Sequence, residues 1–209
     1  MMFKQLKLAD VFSIFNAAFG FTGIVYLHIH GLNPYTFYFL YLSSYMDGAD
    51  GVIANRFGKS PFGKDLDSLA DSISFGVFPG LIVAFYNSTL FFPALIFTLA
   101  SILRLARFNV INSQNFIGCP TVAAALLVTS LTRLNFSFKT IFIVVLVAAL
   151  LMVSDIEYPK IRNRALLLFV GIVLLLCFAA DEFVYILLIL IVIYLISPIF
   201  KEVIGWKNL

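Results

Sequence analysis

Residues 183–200 read FVYILLILIVIYLISPIF, eighteen positions in a row without a charged side chain. A helix needs about 20 predominantly apolar residues to cross the hydrocarbon core of a bilayer, so this stretch predicts a transmembrane helix. The rest of the chain has the same character: 62% of its 209 residues are hydrophobic, 12% are charged, and the mean hydropathy is +1.02. Soluble domains are nearer half apolar and a quarter charged. The composition therefore excludes a soluble globular domain, a disordered chain and a disulfide scaffold.

Turn residues and charges divide the chain into eight apolar segments. They predict helices over residues 9–30, 35–56, 63–86, 90–109, 120–134, 137–154, 165–180 and 182–200. The apolar runs are continuous rather than alternating, which argues against a transmembrane barrel. We therefore expect an all-α integral membrane protein with about eight transmembrane helices. It forms one membrane domain over 1–209, with a six-helix core over about 9–156 and two additional C-terminal helices over about 163–200.

Positive charges are distributed unevenly among the predicted loops. If both termini face the cytoplasm, only Arg133 and Lys139 fall on the outer side. The inner side then holds twelve cations: Lys4, Lys7, Arg56, Lys59, Lys64, Arg104, Arg107, Lys160, Arg162, Arg164, Lys201 and Lys207. This agrees with the positive-inside rule. We therefore expect a multi-pass membrane protein with both termini in the cytoplasm.

The cysteines and histidines indicate no zinc or redox function. The net charge of +3 is small and carries no information about nucleic acid, and no nucleic-acid partner is expected. Cys119 and Cys177 lie far apart in apolar segments, without the spacing of metal ligands. We interpret both as small core residues. His28 and His30 lie at the outer end of the first predicted helix and receive no role.

Four acidic residues, Asp47, Asp50, Asp67 and Asp71, lie inside the predicted second and third helices. An intramembrane carboxylate costs at least about 2.5 kcal/mol on insertion scales, so four of them need a compensating cation. Spacings of three and four residues place each pair on one helix face. The short loop between the two helices makes them antiparallel neighbours, which brings both pairs to a similar depth. The sequence therefore predicts an all-oxygen site that suits Mg²⁺, Mn²⁺ or Ca²⁺ rather than zinc.

Two further features qualify this interpretation. Gly48, Gly51 and Gly63 flank the carboxylates and leave the backbone accessible, so a bulky anionic ligand can approach closely. A cation channel or a proton-coupled carrier would also use buried carboxylates, and this second class of function stays open. Asp65, next to the second pair, is interpreted as an acid solvated at the membrane interface.

The carboxylates and their neighbours carry a family resemblance. Residues 47–54, DGADGVIA, and 63–71, GKDLDSLAD, resemble the signature of the CDP-alcohol phosphatidyltransferase family, D-x-x-D-G-x-x-A-R followed by G-x-x-x-D-x-x-x-D. One position departs from it, because Asn55 stands where the family has Arg. Arg56 follows directly, and we expect it to take over the phosphate-facing role. A shift by one residue turns a helical side chain by about 100°, so this substitution bears on nucleotide binding.

The resemblance continues beyond the signature, over residues 10–160. The chain is similar to the phosphatidylserine and archaetidylserine synthase branch in two features. The first is the run after the second Asp pair, which includes Ser74, and the second is the presence of Asn16. Three more segments look like landmarks of that branch: residues 104–109, RLARFN; 116–120, FIGCP; and 154–160, SDIEYPK. The last of these favours an archaeal source.

The resemblance implies an activity and a set of site residues. Enzymes of the family transfer a phosphatidyl-type group from a CDP-linked lipid to an alcohol and release CMP. It implies two divalent ions, Mg²⁺ or Mn²⁺, held by Asp47, Asp50, Asp67 and Asp71, with Asp71 also accepting the proton of the attacking hydroxyl. It assigns CDP-lipid binding to Gly51, Ala54, Arg56, Gly63 and Asn16. It also implies a homodimer with its active site on the cytoplasmic side, and membrane lipids as surroundings.

The acceptor alcohol is predicted from two arginines. Arg104 and Arg107 share a helix face at the cytoplasmic end of the fourth helix, and arginine suits bidentate binding of a carboxylate. With Ser74 as a hydroxyl contact, they favour L-serine. Anchoring of the helix is the alternative role for each arginine, and packing between helices is the alternative for Ser74. The alternative that the chain is a family relative using inositol phosphate or glycerol phosphate also stays open. Those acceptors carry a phosphate and would favour a richer basic pocket.

Overall fold

The protein is helical, with one short pair of strands. The computed structural model describes residues 5–58, 60–111, 115–160 and 163–204. Its α-helices are α1 (Leu8–His30), α2 (Pro34–Phe57), α3 (Gly63–Asp71), α4 (Phe78–Tyr86), α5 (Phe91–Val110), α6 (Thr121–Arg133), α7 (Phe138–Val153), α8 (Arg164–Leu176) and α9 (Glu182–Ile204). The expected inner cations Lys4, Lys59, Arg162 and Lys207 lie outside the described residues.

Local sequence signals set the helix ends. Gly31, with φ of +70°, ends α1, and this left-handed conformation favours glycine. Asn33 then caps α2, since its side chain accepts a hydrogen bond from the backbone N–H of Tyr35 at 3.0 Å. Pro34 occupies the first turn, where no backbone donor is required. Because these caps leave only a short turn between them, α1 and α2 pack against each other.

The third predicted helix, over 63–86, is continuous but not uniform. A π-helical turn, Ser72–Val77, joins α3 to α4. This turn begins directly after Asp71 and packs closely on α1, where a Cβ at Gly20 would overlap the side chain of Ser74. Such turns inside α-helices are frequent at functional sites.

Among the residues that the structure describes, four helical segments are long and apolar enough to cross a bilayer: Leu8–His30, Gly63–Tyr86, Ser88–Val110 and Glu182–Ile199. α2 has 24 residues, but it carries Asp47, Asp50 and Arg56 and is less apolar. α6, α7 and the apolar part of α8 are shorter, at 10–17 residues. An all-helical membrane protein is therefore the observed class, while the eight spans and the orientation of the termini remain predictions.

Two loops form a structure that the sequence did not predict. β1 (Phe116–Ile117) pairs antiparallel with β2 (Glu157–Tyr158), so that the loop after α5 meets the loop after α7. Arg107 joins the same loops, because its guanidinium donates hydrogen bonds to the carbonyls of Ile117, Met152, Val153 and Ser154 at 2.7–3.2 Å. Gly118 has φ of +77°, and a Cβ there would overlap the Met152 carbonyl oxygen. The two loops consequently form one ordered cap at this end of α5 and α7.

The other end of the bundle is held by a buried arginine. The Arg133 guanidinium, at the end of α6, contacts the Asp181 carboxylate at 2.8 Å and donates to the Tyr41 hydroxyl at 3.2 Å. Asp181 lies between α8 and α9, so this contact ties the two C-terminal helices to α2 and α6. Both cysteines are free and buried, which confirms the prediction that they are core residues.

Candidate active site

Three carboxylates from two helices meet at one point. Asp47 of α2 and Asp67 and Asp71 of α3 each offer an oxygen that lies within 4.8 Å of the other two. The spacing of four residues puts Asp67 and Asp71 on the same face of α3, and the turn after α2 brings Asp47 to that face. Three carboxylate oxygens at this separation fit a hard divalent cation such as Mg²⁺ or Mn²⁺.

The fourth predicted ligand, Asp50, has a different position. It is buried, and it accepts a hydrogen bond from the Ser13 hydroxyl of α1. The structure therefore brings three of the four predicted ligands together and directs Asp50 toward α1. A ligand role for Asp50 remains a prediction.

Asn16 of α1 contacts the carboxylate cluster directly. Its side-chain amide donates a hydrogen bond to the Asp71 carboxylate at 2.9 Å, and both groups are buried. The Asn16 backbone carbonyl accepts from the Ser43 hydroxyl at 3.2 Å and from the Ser74 hydroxyl at 2.8 Å. Asn16 is thus fixed from α2 and from the π turn, and it holds Asp71 in one orientation.

These contacts bear on the roles expected for two residues. Asn16 was predicted to bind the CDP-lipid; its amide donates to Asp71, and a CDP-lipid contact remains a prediction. Ser74 was predicted to contact the acceptor, but it is fully buried and its hydroxyl is engaged between helices. A single sequence places Asn16 on a helix but gives no signal for its partner, because that partner is 55 residues away.

Arg104 of α5, one of the two arginines predicted to bind the acceptor, is a buried cation. It is 5% exposed, and its guanidinium carbon lies 5.3 Å from the Phe108 ring centroid and 5.4 Å from that of Phe116. Its charge interacts with the Asp71 carboxylate. Within the described part of the chain, its Nε and Nη2 atoms have no hydrogen-bond partner although they are buried. Buried donors without a hydrogen-bond partner are costly, which points to an anionic ligand at these two nitrogen atoms.

Two lysines lie around the same rings. The Lys64 ammonium is 5.1 Å from the Phe108 centroid, and the Lys160 ammonium is 5.2 Å from the Phe116 centroid. We call Arg104, Lys64, Lys160 and the two rings the basic pocket. The positive charges of these three side chains favour an anionic ligand near the two rings.

Arg107, the second predicted acceptor residue, does not share these surroundings. Its guanidinium is occupied by the loop carbonyls described above and by the Asp155 carboxylate at 3.2 Å. This arrangement favours the anchoring alternative for Arg107. The structure separates in role two arginines that the sequence places on one helix face.

Asn109 is a residue that sequence reasoning missed. Its side chain accepts from the Ser68 hydroxyl at 2.9 Å and donates to the Asp65 carboxylate at 3.1 Å, while Lys64 donates to its backbone carbonyl at 3.1 Å. Asn109 therefore fastens α3 to α5 beside the carboxylate cluster. Its position at the end of the RLARFN segment was the only available signal.

The comparisons with known proteins decide the family. The sequence model of CDP-alcohol phosphatidyltransferases matches residues 6–206, nearly the whole chain. The chain belongs to the CDP-alcohol phosphatidyltransferase family. The match confirms the resemblance and identifies the protein as an enzyme of this type.

Relatives with assigned activities cover most of the chain. It is 35% identical over 205 residues to a CDP-diacylglycerol–serine O-phosphatidyltransferase of Methanocaldococcus jannaschii, covering 97% of each protein. It is 35% identical over 169 residues to an archaetidylserine synthase of Methanothermobacter thermautotrophicus, covering 75% of this chain and 71% of that one. A CDP-diacylglycerol–serine O-phosphatidyltransferase of Bacillus subtilis is 32% identical over 137 residues, which are 61% of this chain and 76% of the relative.

The phosphatidyltransferase signature leaves room beside the carboxylates. A Cβ at Gly48 or Gly51 would have no neighbour within 4 Å, so the backbone there is open to a ligand. Gly63 is buried, Ala54 is half-buried, and Arg56 is exposed with its guanidinium 5.5 Å from the Phe57 ring. The side chain of Asn55, where the signature has Arg, lies outside the described part.

Proposed function

We propose that this phosphatidyltransferase transfers a phosphatidyl-type group, diacyl or archaeal ether, from a CDP-linked lipid to L-serine. The observation that carries the proposal is the convergence of Asp47, Asp67 and Asp71 within 4.8 Å in a chain of this family. The relatives from Methanocaldococcus and Methanothermobacter, a serine O-phosphatidyltransferase and an archaetidylserine synthase, support serine as the acceptor.

The residues fit a divalent metal centre. Asp47, Asp67 and Asp71 would hold Mg²⁺ or Mn²⁺, with Asp50 as a further ligand of a two-ion site. When bound, such ions neutralise the diphosphate and stabilise negative charge on the phosphoryl oxygens during transfer. The open backbone at Gly48 and Gly51 accommodates the diphosphate beside the carboxylates.

Asp71 is the proposed general base. The serine hydroxyl oxygen attacks the phosphorus atom attached to the lipid, the bond from phosphorus to the CMP oxygen breaks, and CMP leaves. Asp71 accepts the proton of the attacking hydroxyl. The amide of Asn16 donates to one oxygen of this carboxylate at 2.9 Å, which leaves the other oxygen to accept the proton.

Arg104 is the proposed partner of the serine carboxylate. Its buried Nε and Nη2 atoms are donors without a partner among the described residues, and a carboxylate accepts two such bonds in parallel. The basic pocket also suits a phosphate, so glycerol 3-phosphate and inositol phosphate are the competing acceptors. We place this chemistry at the cytoplasmic face of a prokaryotic membrane, in a homodimer.

The acceptor and the metal are tested in one assay. We expect purified protein in lipid to release CMP from a CDP-lipid when serine and Mg²⁺ or Mn²⁺ are present. A strong chelator should abolish the release, and added metal should restore it. CMP release that persists in chelator would contradict the metal centre. Faster turnover with glycerol 3-phosphate or inositol phosphate than with serine would instead contradict the acceptor.

Arg56→Ala tests whether this residue replaces the missing signature arginine. If Arg56 contacts a phosphate, its loss removes one charge-assisted hydrogen bond, worth about 1.5–3 kcal/mol. We expect the KM for the CDP-lipid to rise at least tenfold while the KM for serine is little changed. The matched control is Lys139→Ala, an exposed cation on the other side of the predicted membrane. An unchanged CDP-lipid KM in the Arg56 variant would leave Arg56 with a topological role only.

A further inference from the structure

The two C-terminal helices reach the basic pocket through one tyrosine. Tyr194 of α9 donates a hydrogen bond from its hydroxyl to the Pro159 carbonyl at 3.1 Å. That carbonyl belongs to the peptide group that joins Pro159 to Lys160. The bond therefore fixes the plane of the peptide from which the Lys160 side chain departs.

Ring packing strengthens the same contact. The Tyr194 ring lies 5.7 Å from the ring of Tyr158, which is 1% exposed. Tyr158 is in turn held by β-pairing with Phe116. Tyr194 thus supports the loop from one side while β1 supports it from the other.

The supported loop presents Lys160 to the Phe116 ring, which Arg104 also contacts. The Lys160 ammonium and the Arg104 guanidinium carbon lie 5.2 Å and 5.4 Å from the centroid of the same ring, Phe116. Arg104 is fixed by burial inside α5, whereas Lys160 is half-buried on a loop. The distance between the two cations therefore depends on how firmly the loop is held.

We propose that Tyr194 is a positioning residue that holds Lys160 beside Arg104, so that both cations bind the anionic group of the acceptor. This proposal rests on the proposed function for the identity of the acceptor. It gives the C-terminal helices a part in acceptor specificity, with Lys160 as a second contact to the acceptor carboxylate.

The test compares the acceptor KM in five proteins: the wild type, three single variants and one double variant. Lys160→Met should raise the KM for serine roughly tenfold, the effect of one lost charged hydrogen bond. Tyr194→Phe keeps the ring and removes only the hydroxyl, and we expect a rise of about threefold with little change in kcat. The KM for the CDP-lipid should stay constant in both variants.

Tyr38→Phe is the matched control. The Tyr38 hydroxyl donates to the Phe178 carbonyl at 2.8 Å, which is the same kind of bond to the same C-terminal helices at their other end. Tyr38→Phe should lower the unfolding temperature about as much as Tyr194→Phe does, but it should leave the KM for serine unchanged. Equal KM increases in both variants would show a general loss of packing and overturn the proposal.

The double variant decides whether Tyr194 acts through Lys160. In the Lys160→Met background, Tyr194→Phe should have no further effect on the acceptor KM, because the group that it positions is gone. A KM unchanged by Tyr194→Phe alone, or raised by the same factor in both backgrounds, would overturn the proposal. If the wild type prefers a phosphate acceptor to serine, the serine assignment fails, and the same five proteins test the positioning role on the KM of that acceptor.

Discussion

Asp67→Asn should reduce CMP release by at least about a thousandfold, the scale on which loss of the groups that stabilise transition-state charge affects turnover. Asp67 is one of three carboxylates whose oxygens lie within 4.8 Å of one another. The substitution keeps the size of the side chain and removes its charge, so the site loses a hard anionic ligand for a divalent cation. The measurement is the single-turnover rate of CMP formation at saturating metal and serine.

Asp65→Asn is the control for this result. Asp65 lies two residues earlier on α3, is exposed, and accepts a hydrogen bond from the Asn109 amide rather than joining the cluster. We expect it to keep near wild-type turnover. Near-normal activity in Asp67→Asn, or an equal loss in both variants, would refute the assignment of Asp67 as a metal ligand.

Arg104→Met should raise the KM for serine by about 10–150-fold, the range for one or two charge-assisted hydrogen bonds. Methionine fills a similar volume against Phe108 and Phe116 but cannot bind a carboxylate. A site built to pair a charge discriminates against acceptors without it, so the advantage of serine over ethanolamine should narrow in this variant. Arg104→Lys keeps the positive charge but lacks the planar guanidinium. We expect its KM for serine to lie between those of Arg104→Met and the wild type.

The readout that separates substrate binding from folding is the ratio of turnover with serine to turnover with glycerol 3-phosphate, together with the KM for the CDP-lipid. We expect the ratio to fall in Arg104→Met and the CDP-lipid KM to remain constant. If turnover with serine and turnover with glycerol 3-phosphate fall by the same factor, so that their ratio is unchanged, Arg104 does not recognise the carboxylate. Arg107 should behave differently, because its guanidinium binds loop carbonyls. Its replacement should lower the unfolding temperature and reduce turnover with every acceptor by the same factor.

Much of the fold followed from hydrophobic patterning. The apolar segments over 63–86 and 182–200 were predicted as helices and are helices, because a chain in lipid must satisfy its backbone hydrogen bonds within each segment. The π turn after Asp71 was not predictable, since it reflects the close approach of Ser74 to Gly20 on another helix. The pairing of β1 with β2 was missed for a similar reason: each strand has only two residues and no alternating pattern to reveal it.

Hydrophobic patterning is enough to predict a helical membrane protein, and residue spacing is enough to put Asp47, Asp67 and Asp71 on helix faces that can meet. Helix periodicity and the fixed spacing of the signature carry that information over short distances along the chain. The contacts between helices came from the fold alone: Asn16 with Asp71, Asp50 with Ser13, and Lys160 and Arg104 around the Phe116 ring. Those contacts join residues far apart in the chain, where periodicity gives no distance, and packing alone decides which side chains share a buried space.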